Sequence, residues 1–114
     1  MFMLLGFIAS AQSTVTNLNS SAAGSLYDAI NLIAATGGTI NFDSNLSGTI
    51  NITSGFPNIT SSVIINGNGR INTIIDGGGT STRMFSVSGS GSLTISGMTL
   101  KNNGNPGSNA GSIF

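Results

Sequence analysis

A short strand-like segment recurs along this chain. Residues 38–42 read Gly-Thr-Ile-Asn-Phe, and residues 48–52 read Gly-Thr-Ile-Asn-Ile. Apolar and polar residues alternate in both, as in a β-strand whose successive side chains point to opposite faces. A short strand that repeats between turns predicts a coiled stack of rungs rather than a globule. Similar segments follow at residues 63–67, 73–77, 84–87 and 93–97.

The alternation assigns the residues of these segments to two faces. The apolar set, expected to point inward, is Ile40, Phe42, Ile50, Ile52, Phe85, Val87, Leu93 and Ile95. The opposite set is Thr39, Asn41, Thr49, Asn51, Ser86 and Thr94. None of the second set is charged, and Asn, Ser and Thr can both donate and accept hydrogen bonds. We therefore expect a polar outer wall whose side chains bond to like neighbours in the rungs above and below.

Clusters of Gly, Asn and Ser separate the segments and suit tight corners, because Gly adopts positive φ without strain. Taking Ile40 and Val63 as equivalent gives a coil of 23 residues, and Leu93 and Ile113 give 20. These lengths are typical of solenoid repeats, and the sequence accommodates about three coils.

Charge and composition restrict the function classes. The 114 residues include 17 Gly, three bases and three acids, with neither Cys nor His. Nucleic acids and anionic membrane surfaces call for clustered Lys and Arg, so neither is expected as a partner. Without Cys or His the chain offers no thiolate or imidazole metal ligands. We expect no cofactor.

Residues 1–11 differ from the rest of the chain. Residues 2–8 are almost continuously apolar, and Ala9-Ser10-Ala11 has the small-x-small form of a signal-peptidase site. No basic residue precedes the run, so a buried N-terminus is the alternative. The run is too short to span a bilayer. The prediction is a signal peptide at residues 1–11 and a secreted or cell-surface protein.

A helix is predicted at residues 26–35. Ser25 fits the N-cap and Asp28 lies three positions on, while Gly37 and Gly38 supply the stop. One helical face carries Leu26, Ala29, Ile30, Ile33 and Ala34. An amphipathic helix ahead of many strands suits a cap over the first coil, whose strand edges would otherwise be open. The alternative is a helix packed on the side of a sandwich.

Several motifs together resemble a known family. They are Val-Thr-Asn at 15–17, Gly-Ser-Leu-Tyr-Asp-Ala-Ile at 24–30, Gly-Gly-Thr-Ile-Asn-Phe at 37–42, and the segments 46–50, 63–69, 93–102 and 110–114. This order resembles the N-terminal part of right-handed parallel β-helices of the pectin-lyase-like superfamily. Among these it is most similar to bacterial exported adhesins, autotransporter passengers and polymorphic outer membrane proteins. Tyr27, Ala110 and Ser112 depart from the family pattern.

The resemblance implies an all-β fold: a right-handed parallel β-helix of about three coils with an N-terminal amphipathic capping helix. Residues 12–37 would form an opening strand, near Thr14 to Thr16, and the helix. Residues 38–114 would form the coils, left without a lower cap. Such an end exposes apolar side chains, so we expect part of a longer protein, a truncated reading frame, or self-association through that end.

The function implied is a non-enzymatic, secreted or cell-surface structural and adhesive stalk. Its loops and outer wall would bind a host-cell surface protein or glycan. A membrane attachment would require a C-terminal anchor absent from this sequence. The alternative is the N-terminal part of a polysaccharide lyase or glycoside hydrolase whose catalytic coils lie beyond residue 114. A phage or biofilm scaffold protein is a further alternative.

No catalytic, cofactor-binding or metal-binding residue is assigned. The only acids are Asp28, Asp43 and Asp76. Asp28 is explained by the helix start, and Asp43 and Asp76 are interpreted as turn formers. Arg70 and Arg83 are expected to form a surface ion pair with Asp76 rather than a catalytic set. Asn19, Asn45, Asn51 and Asn58 begin Asn-x-Ser/Thr sequons, interpreted as a consequence of composition, and residues 102–108 are predicted to form a projecting loop.

Overall fold

A computed structural model describes residues 11–78 and 83–102. These residues form seven short strands and one helix. In chain order they are β1 (Ala11–Val15), α1 (Leu26–Ile33), β2 (Gly38–Phe42), β3 (Gly48–Asn51), β4 (Ser62–Asn66), β5 (Thr73–Asp76), β6 (Ser92–Ser96) and β7 (Thr99–Lys101).

The strands form two parallel sheets. The four-stranded sheet has the order β1-β2-β4-β6, and the three-stranded sheet has the order β3-β5-β7. Every pairing within them is parallel, and each neighbour in a sheet belongs to the next turn of the chain. The chain therefore winds as a parallel β-solenoid of about three turns, consistent with the β-helix expected from the sequence.

The two Gly-Thr-Ile-Asn copies do not lie on top of each other. The first is in β2 of the four-stranded sheet, and the second is in β3 of the three-stranded sheet. They form successive sides of one coil, so the ten-residue repeat does not mark successive rungs. The stacked partner of Ile40 is Ile65, and that of Ile50 is Ile75.

The predicted coil length of 23 residues, from Ile40 to Val63, is wrong because it assumed the wrong stacked partner, and the length of 20, from Leu93 to Ile113, ends outside the described residues. Ile40 stacks on Ile65 rather than on Val63, and Asn41 and Asn66, one coil apart, are separated by 25 residues. The next coil along the four-stranded sheet takes 30 residues, from Asn66 to Ser96. The predicted register was two residues off, which leaves every side chain on its expected face because strand side chains alternate with a period of two.

The third side of the coil lacks regular strands. The N–H of Phe56 donates to the carbonyl of Met84 at 2.9 Å, and the N–H of Ile59 donates to Ser86 at 2.8 Å. One parallel bridge joins Ile59 to Val87. The strand predicted at residues 84–87 is thus reduced to a single bridge. Pro57 contributes to this, because proline has no N–H to extend a ladder.

The core consists of stacked columns of inward side chains. Ile40 and Ile65 form part of one column, Ile50 and Ile75 part of another, and all four are fully buried. Burying one such side chain contributes about 1.5–3 kcal/mol relative to exposure. In the last described coil the corresponding residues Leu93, Ile95 and Leu100 are only partly buried.

An aromatic column runs beside these aliphatic ones. The ring centroids of Tyr27 and Phe56 are 6.4 Å apart, and those of Phe56 and Phe85 are 4.9 Å apart in a stacked arrangement. Phe56 and Phe85 are buried. Stacked aromatic pairs contribute about 0.5–1.5 kcal/mol beyond the area they bury. The strand pattern had assigned only Phe85 to the interior and had not placed Phe56.

The helix begins as predicted and ends two residues early. The hydroxyl of Ser25 accepts from the N–H of Asp28, and the Asp28 carboxylate accepts from the N–H of Gly24, each at 3.2 Å. At the other end Gly37 takes a left-handed conformation (φ +86°), and its N–H donates to the carbonyl of Ile33 at 2.7 Å. The predicted apolar face is buried at Leu26, Ala29, Ile30, Ile33 and Ala34.

Candidate functional site

The four-stranded sheet carries a mostly polar outward face. We call its outward side chains the outer wall. They are Gln12, Thr14, Thr39, Asn41, Ser62, Ile64, Asn66, Ser92, Thr94 and Ser96. None of these side chains is charged. The outer wall is therefore a neutral array of hydroxyl and amide groups, interrupted by Ile64.

Hydrogen bonds between rungs hold part of this array in place. The Nδ2 of Asn66 donates to the Oδ1 of Asn41 at 3.1 Å, and the hydroxyl of Ser96 donates to the Oδ1 of Asn66 at 3.1 Å. The hydroxyls of Ser62 and Ser92 are 3.0 Å apart. Parallel strands lie about 4.8 Å apart, a spacing at which equivalent side chains meet directly. The expected bonding between like neighbours in successive rungs is confirmed at Asn41.

A second column of the outer wall contains Thr39, Ile64 and Thr94. Ile64 is 40% exposed, an apolar side chain in the middle of the polar surface. The sequence pattern misses it, because residues 63–65 are all apolar and show no alternation. The exposed surface of this column thus includes methyl groups as well as hydroxyls.

A polar ladder also follows the third side. On the third side the hydroxyl of Ser86 donates to the Oδ1 of Asn58 at 3.1 Å, and Asn58 donates to the hydroxyl of Ser88 at 2.7 Å. The outward position of Ser86 was predicted and is confirmed. Asn58 begins one of the four sequons, and its amide is occupied by these bonds.

Asp76 lies at the end of β5 and organises a corner. Its Oδ1 accepts from the N–H of Gly78 at 2.8 Å and from the amide of Asn102 at 3.1 Å, and its Oδ2 is 3.9 Å from the Nζ of Lys101. The Gly78 hydrogen bond, followed by the Asn102 bond and the Lys101 charge, holds the pKa of Asp76 below its ordinary value. Asp76 is a turn former, as predicted, and it pairs with Lys101, whereas the predicted pair with Arg70 is not found among the described residues.

Asp43 forms a similar turn after β2. Its Oδ1 accepts from the N–H of Asn45 at 2.9 Å, two residues on. Asp28 caps the helix, so each of the three acids has a local backbone partner. Across residues 11–78 and 83–102, no group of three or more acidic, Cys or His residues is placed to hold a metal ion.

Asn68 joins two coils at a corner, a role that the sequence analysis missed. Its Nδ2 donates to the carbonyls of Asp43 and Leu46, at 2.8 and 3.0 Å. Its N–H donates to the hydroxyl of Thr73, which is buried. The Asn-Gly sequence at this position had indicated only a turn.

The remaining predictions fall outside the described residues. The apolar run at residues 2–8, most of the loop at 102–108 and the motif at 110–114 are not among residues 11–78 and 83–102. In the described part of the chain no helix has the length and apolar character needed to cross a membrane. No protein family, curated protein or solved structure matches this chain.

Proposed function

We propose that this chain is a non-enzymatic, secreted or cell-surface β-solenoid that acts as an adhesive stalk. The observation that carries the proposal is the outer wall, a neutral array of hydroxyl and amide groups fixed on a parallel sheet. Its partner would be an uncharged glycan or a protein surface on a host or neighbouring cell. Residues 1–11 would direct export and be removed.

Preorganisation is the physical reason for assigning binding to this surface. A neutral hydrogen bond contributes only about 0.5–1.5 kcal/mol, so useful affinity requires many of them made at once. The side chains of Asn41, Asn66 and Ser96 are already hydrogen-bonded to one another, so they lose little further conformational freedom when a partner binds. A repeating rung geometry also presents side chains at regular intervals, which suits a polymer with a regular repeat.

We further propose that the coil is right-handed and that α1 is its lid. Crossovers between parallel strands of one sheet are right-handed in about 98% of cases. The helix buries Leu26 and Ile30 and packs beside β1 and β2. The carbonyl of Ala34, at its end, accepts from the N–H groups of Thr60 and Ser61 in the next coil, at 3.0 and 3.1 Å. These bonds would tie the lid to the stack.

The two Gly-Thr-Ile-Asn copies provide a matched test. Thr39 and Thr49 have the same local sequence and both point outward, but only Thr39 lies on the outer wall. Binding of the whole chain to arrays of neutral glycans and to intact cells would be measured for Thr39→Glu and Thr49→Glu. Circular dichroism would verify that both variants fold.

We expect Thr39→Glu to lower affinity at least about tenfold. A bound partner would cover the new carboxylate without pairing it, and burying an unpaired charge costs well over 1.4 kcal/mol. Thr49→Glu should bind like the unmodified chain. Equal binding by both variants, or absence of binding by the unmodified chain, would contradict the assignment.

A further inference from the structure

A column of side chains that carry methyl groups runs along the middle of the outer wall, between two polar columns. We call it the methyl column, and its members in β2, β4 and β6 are Thr39, Ile64 and Thr94. On each strand the next outward residues lie two positions away, because strand side chains alternate between the faces. The flanking polar residues are Ser62 and Ser92 on one side, and Asn41, Asn66 and Ser96 on the other.

The dimensions of this pattern suit a sugar ring. Neighbouring columns are about 6.6 Å apart, because a parallel strand rises about 3.3 Å per residue, and three rungs extend about 10 Å along the solenoid axis. A pyranose ring with equatorial hydroxyls carries C–H bonds on its face and hydroxyl groups around its edge. A ring that lies face down on Ile64 would bring its edge hydroxyls to Ser62 on one side and Asn66 on the other.

Ile64 and Asn66 both have contact groups available for a ligand. The side chain of Ile64 is 40% exposed. An Asn amide can donate two hydrogen bonds and accept two. Asn66 donates one to Asn41 and accepts one from Ser96, and its side chain makes no other hydrogen bond within residues 11–78 and 83–102. One donor and one acceptor position therefore remain for a sugar hydroxyl.

The charge of the outer wall restricts the ligand further. The three bases of the chain, Arg70, Arg83 and Lys101, all lie outside β1, β2, β4 and β6. An acidic polysaccharide would bring carboxylates to a surface without a cation to pair them, and covering an unpaired charge is costly. The chemistry of the wall therefore favours an uncharged ligand.

The three-stranded sheet carries a similar column with different neighbours. The residues at the equivalent positions are Thr49, Ile74 and Thr99. The next outward column contains Asp76 and Lys101, whose charged groups are 3.9 Å apart and would both lose water under a sugar. The hydroxyl of Thr99 already donates to the carbonyl of Arg70, at 2.7 Å. This sheet is therefore a matched comparison for the outer wall.

We propose that the outer wall binds a neutral, extended polysaccharide of equatorial pyranose units, such as a β-linked glucan. Its rings lie face down on the methyl column, and its chain runs along the solenoid axis. This inference rests on the binding function proposed above and names the class of ligand that the outer wall takes.

Isothermal titration of the whole chain with cellohexaose tests the ligand class. Maltohexaose is the control, because it contains the same sugar in a linkage that makes the chain coil, so successive rings cannot lie on one column. We expect binding of cellohexaose and little binding of maltohexaose. The affinity for cellohexaose should not change with salt concentration, since neither the ligand nor the outer wall is charged.

Substitutions at Ile64 test the orientation of the sugar. Ile64→Asn should weaken the binding of cellohexaose at least about fivefold, because it removes the apolar surface that the ring covers. Ile64→Tyr should bind at least as tightly as the unmodified chain, since an aromatic ring offers a broad apolar face. Ile74→Asn is the matched control on the three-stranded sheet and should not change the affinity. Circular dichroism would verify that all three variants fold.

The outcomes separate this inference from the adhesive function. Equal affinities of Ile64→Asn and Ile74→Asn, or equal binding of the two hexasaccharides, would overturn the assignment of the ligand. Binding to intact cells that Thr39→Glu abolishes, without any binding of cellohexaose, would overturn this inference and leave the adhesive function standing. An unmodified chain that binds neither cells nor cellohexaose would contradict both.

Discussion

The amide Nδ2 of Asn66 donates to the Oδ1 of Asn41, one coil away, at 3.1 Å. The Oδ1 of Asn66 in turn accepts from the hydroxyl of Ser96 in the next coil, at 3.1 Å. Asn66 is thus the central member of a ladder that joins three rungs on the outer wall. The backbone register places all three residues at equivalent positions.

Removing the central amide should weaken the stack. Asn66→Ala loses both side-chain hydrogen bonds, and at about 0.5–1.5 kcal/mol each we expect the free energy of unfolding to fall by about 1–3 kcal/mol. Urea denaturation measures the change. Thr39→Ala, on the same face, is the control and should change stability by less than about 0.5 kcal/mol. Equal effects of the two substitutions would show that the ladder does not contribute.

Two glycines allow neighbouring coils to approach closely at one corner. Gly67 and Gly97 follow β4 and β6, and a Cβ at Gly67 would collide with the carbonyl oxygen of Gly97. The N–H of Gly67 also donates to the carbonyl of Ser96 at 2.9 Å, so this contact is part of the stack. Gly67 ends the strand-like segment at residues 63–67, and the sequence pattern shows no sign of the close contact.

We predict that Gly67→Ala lowers the free energy of unfolding by at least about 2 kcal/mol, because backbone must shift to admit the methyl group. Gly78→Ala is the control. Its φ is +69°, but a Cβ there would meet no atom within 4 Å, so it should cost only about 1–2 kcal/mol of backbone strain. Chemical denaturation compares the two. A smaller loss at Gly67 than at Gly78 would contradict the packing of these coils.

Asp76 makes stability depend on acid pH. Its folded-state pKa lies below the unfolded value of about 3.9, so its contribution is present above that pH and is lost as pH falls through the folded pKa. Melting temperatures measured from pH 6 to pH 2 should therefore fall less steeply for Asp76→Asn than for the unmodified chain.

Lys101→Met separates the causes of this pH dependence. Its effect should be smaller than that of Asp76→Asn, since the hydrogen bonds from Gly78 and Asn102 dominate the pKa shift. An unchanged acid slope in Asp76→Asn would show that another group controls acid unfolding.

Much of the fold follows from local pattern. Alternation in residues 38–42 and 48–52 correctly placed Ile40 and Ile50 inside, and the Ser25 cap correctly located the helix start. Strand alternation and helix capping depend on a few neighbouring residues, so both can be predicted from the sequence. The repeat of short strands predicted a coiled stack, and the resemblance to parallel β-helices implied that its strands run parallel.

Register and the third side could not be predicted in the same way. Which residue stacks on Ile40 depends on corner lengths, and these vary from coil to coil. A register error of two residues keeps every side chain on the same face, so the alternation of apolar and polar residues does not reveal it. The segment around Phe56 and Ile59 lacks alternation and contains Pro57, yet it is buried by contacts with the next coil. The bonds of Asn68 likewise connect residues more than 20 positions apart.

Disulfide formation between engineered cysteines tests the stacked register most directly, because the chain has no cysteine of its own. Asn41→Cys with Asn66→Cys places two cysteines on adjacent rungs with their Cα atoms about 4.8 Å apart, within the Cα–Cα range of about 4.4–6.8 Å that a disulfide spans. Thr39→Cys with Asn66→Cys shifts the pair by two residues, beyond about 7 Å. We predict rapid intramolecular oxidation of the first pair and little of the second, and the reverse result would contradict the parallel stack on which the outer wall depends.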